Sequence, residues 1–303
     1  MFSANVIWGG MAPLAKYVMA AGAVSSVVLT DLRIMGAAAL FWAASLFTKR
    51  EHVPVRDLAK LFVASLLAIV FNQGSYILGV SLTSPMDASI ITTSMPLWAM
   101  LLAAIFIKEP ISARKVGGIV AGAAGAILLI TGNNPSAAPR GDNAMLGNLL
   151  VLTAQLSYAF YLVLFKDFVN RYSIITIMKW MFTFATVVML PFSFNSIMST
   201  PWSALKTGHI ASIVYIVAGA TFVSYILVVV GQRLLRPTVA GMYNYVQPVV
   251  ACGIAIAWGM DSFNLVKAAA VVLIFGGVFL VSTSKSKSQL DNKASLQKCN
   301  DKY

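Results

Sequence analysis

Charge is scarce in this sequence, and negative charge most of all: ten Asp and Glu stand against twenty-two Lys and Arg in 303 residues. Only 11% of the chain is charged and 59% is hydrophobic, where a soluble domain carries about 25% charge. That excludes a soluble fold, because the polar surface needed to keep such a chain in water is missing. Histidine is nearly absent too. His52 and His209 both fall between apolar runs, and no HxxxxD, paired-aspartate or HExxH arrangement occurs. With no metal-ligand cluster and no Ser–His pair able to meet inside a membrane, the sequence predicts no enzyme, no cofactor and no metal. The two cysteines, Cys252 in an apolar run and Cys299 in the polar tail, form no framework and give no indication of compartment. Nothing reads as a channel filter either.

Long apolar runs are plentiful. Stretches near the ~20 residues a bilayer core requires lie at 2–20, 27–47, 58–80, 86–107, 114–132, 145–165, 174–194, 209–231, 238–258 and 265–284, and mean hydropathy is +0.81. The first run has no basic leader and no small-residue cleavage pattern, so it reads as a span and not as a signal peptide. The excess positive charge is sided. Lys49, Arg50, Arg56, Lys60, Lys108, Arg114, Lys115, Lys166, Arg171, Arg233, Arg236 and the tail lysines lie on one side if the runs alternate, while Lys16, Arg140, Lys206 and Lys267 lie on the other. This is the positive-inside pattern, with both termini cytoplasmic, and it accounts for the net charge of +12 without nucleic acid.

The chain also repeats itself. SPMDASIITTSMP at 84–96 and RPTVAGMYNYVQP at 236–248 share two prolines and an alanine. At a constant offset of 152, Gly79 matches Gly231, Pro96 matches Pro248, Glu109 matches Asp261, Lys115 matches Lys267, Gly125 matches Gly277, and Thr131 matches Thr283. Nearer the N-terminus, an offset of 150 places Asn5 opposite Gln155, Trp8 opposite Tyr158, and Lys16 opposite Lys166. The expected organisation is a first five-helix unit at 1–132, a Pro/Gly/Asn-rich linker at 133–144, a second unit at 145–284, and a disordered basic tail at 285–303. Five is odd, so the second unit enters the membrane upside down. The fold class predicted is an all-α polytopic membrane protein of ten transmembrane helices in two inverted five-helix repeats, an organisation characteristic of secondary transporters.

WGGMAPLAK in the first run, Arg33 in the second, and Pro96 followed by IKEPIS and GGIVAGAAGAILLITG resemble the EamA-type members of the drug/metabolite transporter superfamily. The resemblance covers nearly the whole chain up to residue 284. It implies ten helices in two inverted halves and, as in many bacterial members, export of amino acids or other small metabolites across the inner membrane. Import, or a drug-like substrate, is the alternative. The second half departs from the acidic pattern, with MDSFN in place of KEPIS.

Candidate binding residues follow from polar groups at helical spacing inside apolar runs. Pro96 and Pro248 fall about ten residues into their runs, where each kinks a helix and frees the carbonyl four residues back, of Thr92 and Asn244. Freed carbonyls survive in a membrane only against protein or a wet cavity. Asn244 and Gln247 share one stripe. Asn72, Gln73 and Tyr76 share part of another face, with Ser224 and Tyr225 at the corresponding places; Gln155, Tyr158 and Tyr161 form a third, opposite Asn5 and Trp8. The predicted cavity is lined by Asn244, Gln247, Gln155, Tyr158, Asn72, Thr92, Tyr76 and Trp8, and it takes a small-molecule substrate, amides binding a polar end and aromatics an apolar one. None of the ten acids reaches mid-membrane in this reading, which disfavours a cation/proton exchanger. Arg33 and Lys179 are expected to snorkel. Lys16 and Lys166 are candidates for attracting a carboxylate or gating. The partners expected are the lipid bilayer and the solute, and association into a homodimer is left open.

Overall fold

The computed structural model describes residues 1–20, 24–82, 91–131, 144–257 and 265–284. Among the described residues there are helices and turns but no strand. In chain order these are α1 (Phe2–Ala20), α2 (Ser26–Ser45), α3 (Val55–Ser65), a π segment (Leu66–Phe71), α4 (Asn72–Leu82), α5 (Met95–Phe106), α6 (Ala113–Thr131), α7 (Ala144–Leu164), α8 (Ile174–Met198), α9 (Thr207–Val214), a second π segment (Tyr215–Val223), α10 (Ser224–Leu234), α11 (Pro237–Met242), a 3₁₀ turn (Tyr243–Tyr245), α12 (Val246–Ala257) and α13 (Leu265–Ser282). Local sequence sets several starts. Ser25 caps α2 by accepting from Val28 N–H at 3.3 Å, and Ser173 caps α8 by accepting from Thr176 N–H at 3.2 Å. Pro237 opens α11, where its missing N–H costs no bond.

Among the described residues, five helices are long and apolar enough to cross a membrane: Ser26–Ser45, Val55–Gly79, Met145–Leu164, Ile174–Met198 and Thr207–Leu234. The sequence predicts about ten crossings, and the difference has a physical reason at two of them. The run 86–107 is interrupted by a turn at 93–94, so helix Met95–Phe106 starts afresh there. The run 238–258 is divided by the 3₁₀ turn at Tyr243–Tyr245. The linker at 133–144 up to Asn143, the residues Pro85 and Asp87, the MDSFN stretch and the tail beyond Ser284 lie outside the described residues.

Packing follows the repeat. The most extensive helix pairs join α6 to α13 and α2 to α8, each a helix with the one found about 150 residues later. Other contacts are reciprocal: α7 packs on α4, the first π segment and α5, while α1 packs on α10, the second π segment and α12. Two hydrogen bonds join residues separated by 152 positions. Gln73 Nε2 donates to the Tyr225 hydroxyl at 2.8 Å, and the Tyr245 hydroxyl donates to the Thr93 carbonyl at 2.9 Å. The largest core cluster gathers Phe41, Leu61, Ile69, Met95, Tyr161, Leu162, Ile177 and Phe182; Phe41 stacks on Phe182 at 5.4 Å. A second cluster, around Ile119, Met242, Tyr245 and Ile274, seals α6 against α13.

The π segments leave backbone carbonyls without their usual partners, and side chains supply donors. Ser157 Oγ on α7 donates to Leu67 O at 2.8 Å, and Trp8 Nε1 on α1 donates to Ala220 O at 2.8 Å. Thr221 and Ser224 serve their own segment, bonding Ile216 O at 2.8 Å and Gly219 O at 3.0 Å.

Connections gather by sign. Glu51 accepts from Ser173 N–H at 2.9 Å, Tyr172 donates to Asp57 Oδ2 at 2.6 Å, and Arg233 donates to Val169 O at 2.9 Å. Arg236 reaches Ser284 O at 2.6 Å and Glu109 at 3.6 Å. The Lys/Arg-rich connections 46–54, 107–112, 165–173 and 235–236 therefore approach each other pairwise. At the other ends of α1 and α9, the Tyr17 ring lies 4.9 Å from His209.

The α6–α13 seam rests on glycine: a Cβ on Gly277 would come within 2.5 Å of Gly118 O and 2.8 Å of Gly122 N, whereas a Cβ on neighbouring Gly276 meets nothing within 4 Å. Gly277→Ala is expected to cost about 1–3 kcal/mol of overpacking, read as a lower denaturation midpoint in mixed micelles. Gly276→Ala, one position away, is expected to be neutral or slightly stabilising.

Candidate functional site

Two polar constellations stand out from the apolar interior. The first centres on Tyr225, which α10 carries just beyond the second π segment. Gln73 on α4 donates to its hydroxyl, Trp8 meets its ring edge-on at 5.9 Å, and Phe182 meets it edge-on at 5.0 Å. Tyr158 and Tyr161, with ring centres 6.0 Å apart on α7, belong to the same buried cluster as Tyr225. Arg33 of α2 donates from Nε to Thr221 Oγ1 at 3.1 Å, four residues before Tyr225. Thr221 sits midway along the helix Thr207–Leu234, so this cluster is at the middle of that span.

Satisfaction is incomplete there. The Tyr158 hydroxyl and the Gln73 Oε1 are buried without a hydrogen-bond partner. Ser94 Oγ and Trp98 Nε1, at the helix break beside Pro96, are in the same state. Buried polar groups are ordinarily paired. A group of unpaired donors and acceptors around aromatic rings is what a site for a polar, partly apolar solute requires.

The second constellation is ionic and lies at the Lys/Arg-rich end. Lys108 takes a positive φ of 53° and the chain turns so that Glu109 N–H donates to Ala103 O at 3.0 Å. Glu109 then accepts from Lys115 Nζ at 2.7 Å and from Thr238 Oγ1 at 3.2 Å, and faces Arg236 at 3.6 Å. Lys115, 1% exposed, also donates to Pro110 O at 2.6 Å. Glu109 thereby ties the turn after α5 to the start of α11, across the two copies of the repeat. Lys166, half-buried beyond the end of α7, has its ammonium pulled below the usual lysine range by burial, with Glu109 and Asp167 opposing that shift.

The structure distributes the sequence-predicted residues as follows. Trp8 and Tyr158 join the Tyr225 cluster. Gln247 on α12 donates to Asn5 Oδ1 at 2.8 Å, joining α12 to α1. Asn72 donates to Ala154 O at 2.9 Å, one residue before Gln155 on α7. Gln155 is buried, and its side chain bonds nothing among the described residues. Tyr76 is 38% exposed. Asn244 lies in the 3₁₀ turn, partly exposed, with no side-chain bond among the described residues and none linking it to Tyr225. Thr92 ends the short helical stretch before the turn at 93–94; Pro96 opens α5 and Pro248 is the third residue of α12.

Sequence reasoning missed three things. Arg33 does not snorkel but turns inward to Thr221, and Lys179 lies over the Trp42 ring at 4.8 Å. Tyr245 fills the break opposite its own repeat mate. The Glu109 cluster was visible only as a matched position. The offset itself could have found the first contacts, because residues paired by a two-fold repeat meet wherever they lie on its axis. Among the described residues no group of His, Cys, Asp and Glu could hold a metal.

A sequence model of the EamA-like transporter family matches residues 1–131 and 145–283. The chain is 25% identical to the uncharacterized inner membrane transporter YedA of Escherichia coli K12, over 94% of this chain and 90% of that one. It is 20% identical to the uncharacterized inner membrane transporter YicL of Salmonella typhimurium, over 92% of each. It is 22% identical to the uncharacterized transporter YetK of Bacillus subtilis, over 77% of this chain and 70% of that protein. A crystal structure of a protein 20% identical in sequence superposes with a TM-score of 0.78, covering 93% of this chain and 96% of the other, and shares the fold.

Removing one side of the ionic cluster strands the other charge. Glu109→Gln is expected to lower stability by about 3–5 kcal/mol, and adding Lys115→Met is expected to restore much of the loss. Thermal unfolding of the purified variants in detergent checks both, and an unchanged Glu109→Gln melting curve contradicts the assignment.

Proposed function

The chain belongs to the EamA-like transporter family, and from that premise we propose that it is a secondary carrier exporting small polar or amphipathic metabolites, amino acids among them, across the inner membrane by alternating access. Membership places it among transporters and not among enzymes. The observation that carries the finer reading is the reciprocal packing about an offset of 152, with Gln73 on Tyr225 and Thr93 on Tyr245. Contacts of this kind are what two five-helix halves of opposite orientation make about an axis in the membrane plane. Ten crossings, both termini cytoplasmic and the Lys/Arg-rich end facing the cytoplasm complete that reading.

Interrupted helices support the mechanism. The turn at 93–94 and the 3₁₀ turn at Tyr243–Tyr245 occupy matching places, each preceding a proline at the third residue or earlier of the helix that follows. Such breaks allow each half-helix to tilt without stretching a continuous ladder. The Glu109 cluster ties the two halves at the cytoplasmic end in this state, so its opening is the step that admits solute from that side. Export as the direction comes from the likeness to EamA-type exporters.

The test compares extracellular metabolites of cells expressing the wild type with those of cells carrying an empty vector. At least one small metabolite is expected to accumulate outside only with the wild type. Indistinguishable profiles for wild type and empty vector contradict export.

A further inference from the structure

Arg33 is a cation without an anion. Its Nε donates to Thr221 Oγ1, and among the described residues neither terminal amino group donates a hydrogen bond and no carboxylate pairs with it. Asp31, two positions away on a different face of α2, is buried beside Ser193 of α8, with its Oδ2 unpaired among the described residues. Arg33 is half-buried. Snorkelling does not explain it, because its partner Thr221 lies midway along its span.

Two further donors belong to the same cluster. The Tyr225 hydroxyl accepts from Gln73, which leaves its own proton to give, and no acceptor for it exists among the described residues. The Tyr158 hydroxyl is buried with no partner among the described residues. A buried charge without a partner is costly; the Arg33 fork, one helical turn from Tyr225, and the two phenol hydroxyls are donors in one cluster that no carboxylate pairs with among the described residues, which suits an anion. A guanidinium fork matches a carboxylate in two parallel bonds. One cation suits a monoanion better than a phosphate dianion. The rings of Trp8 and Phe182, both edge-on to Tyr225, supply an apolar wall there.

We propose that Arg33, with the hydroxyls of Tyr225 and Tyr158, binds the carboxylate of the transported solute, and that this site makes the carrier selective for monocarboxylates over their neutral analogues. The assignment rests on the carrier reading above and narrows it to a substrate class. The carboxylate completes the charge pair only while solute is bound, so the cation that costs stability in the empty carrier becomes the element that discriminates.

Matched pairs differing only in that group test it: L-leucine against L-leucinamide and 3-phenylpropionate against 3-phenylpropionamide, with inorganic phosphate as the dianion. Binding to the purified full chain is read from ligand-dependent thermal shifts. Each acid is expected to bind the wild type about tenfold or more tightly than its amide, and phosphate is expected not to bind. Arg33→Gln should erase the preference and Arg33→Lys should keep part of it. Tyr225→Phe, which removes one hydroxyl and leaves the ring, should weaken the acids several-fold without moving the amides, so the claim does not hang on Arg33→Gln folding. Acids that bind no better than amides, acids that do not bind at all, or an undiminished preference in Arg33→Gln overturns it. Counterflow in proteoliposomes separates the two readings. Saturable exchange of leucinamide equal to that of leucine removes the carboxylate site and leaves the carrier standing, whereas no exchange of any solute removes the carrier.

Discussion

Everything in this molecule depends on how it satisfies backbone carbonyls that its helices leave open. A membrane offers no water to do it, so each interruption must be answered by protein. The answers come from other helices and often from the opposite copy of the repeat: Ser157 to Leu67, Trp8 to Ala220, and Tyr245 to Thr93. Interruption and answer are therefore one design. A continuous helix would need no such partners and would offer no reason for Trp8, Tyr225 and Gln73 to converge.

From this follows the location of the polar interior. π segments displace side chains relative to a regular helix, and here they lie immediately before Asn72 and Ser224. The residues just beyond them, Gln73 and Tyr225, are those that meet. The ionic cluster at Glu109 plays a complementary part at the end of the structure: it fixes one turn against another with a fully buried lysine, an arrangement that is weak as a source of net stability but specific in geometry. A carrier needs both kinds of contact, one that tolerates a solute and one that holds the halves in a defined state.

Much of this was legible beforehand. Apolar runs and low charge gave the helical membrane class, and the 152-residue offset pointed to the partners that pack together. Polar residues inside those runs marked Trp8, Tyr158, Gln73 and Asn72 as interior. Other features were not legible for definite reasons. Period and propensity do not distinguish a π turn from an α turn, so the register shift that aims Tyr225 was invisible. Apolar length alone did not separate one helix from two short ones at 93–94 and Tyr243–Tyr245. Arg33 was misread because a lone arginine two turns from a helix end has room to reach the interface; only the position of Thr221 shows that it turns inward.

The central claim is that residues 152 apart hold the two copies together across a shared axis. A double-mutant cycle on Gln73→Leu and Tyr225→Phe measures that bond directly, by unfolding in mixed micelles. The account predicts a coupling energy of about 1 kcal/mol. Strictly additive losses would mean that the two side chains do not meet in the folded protein, and would contradict it.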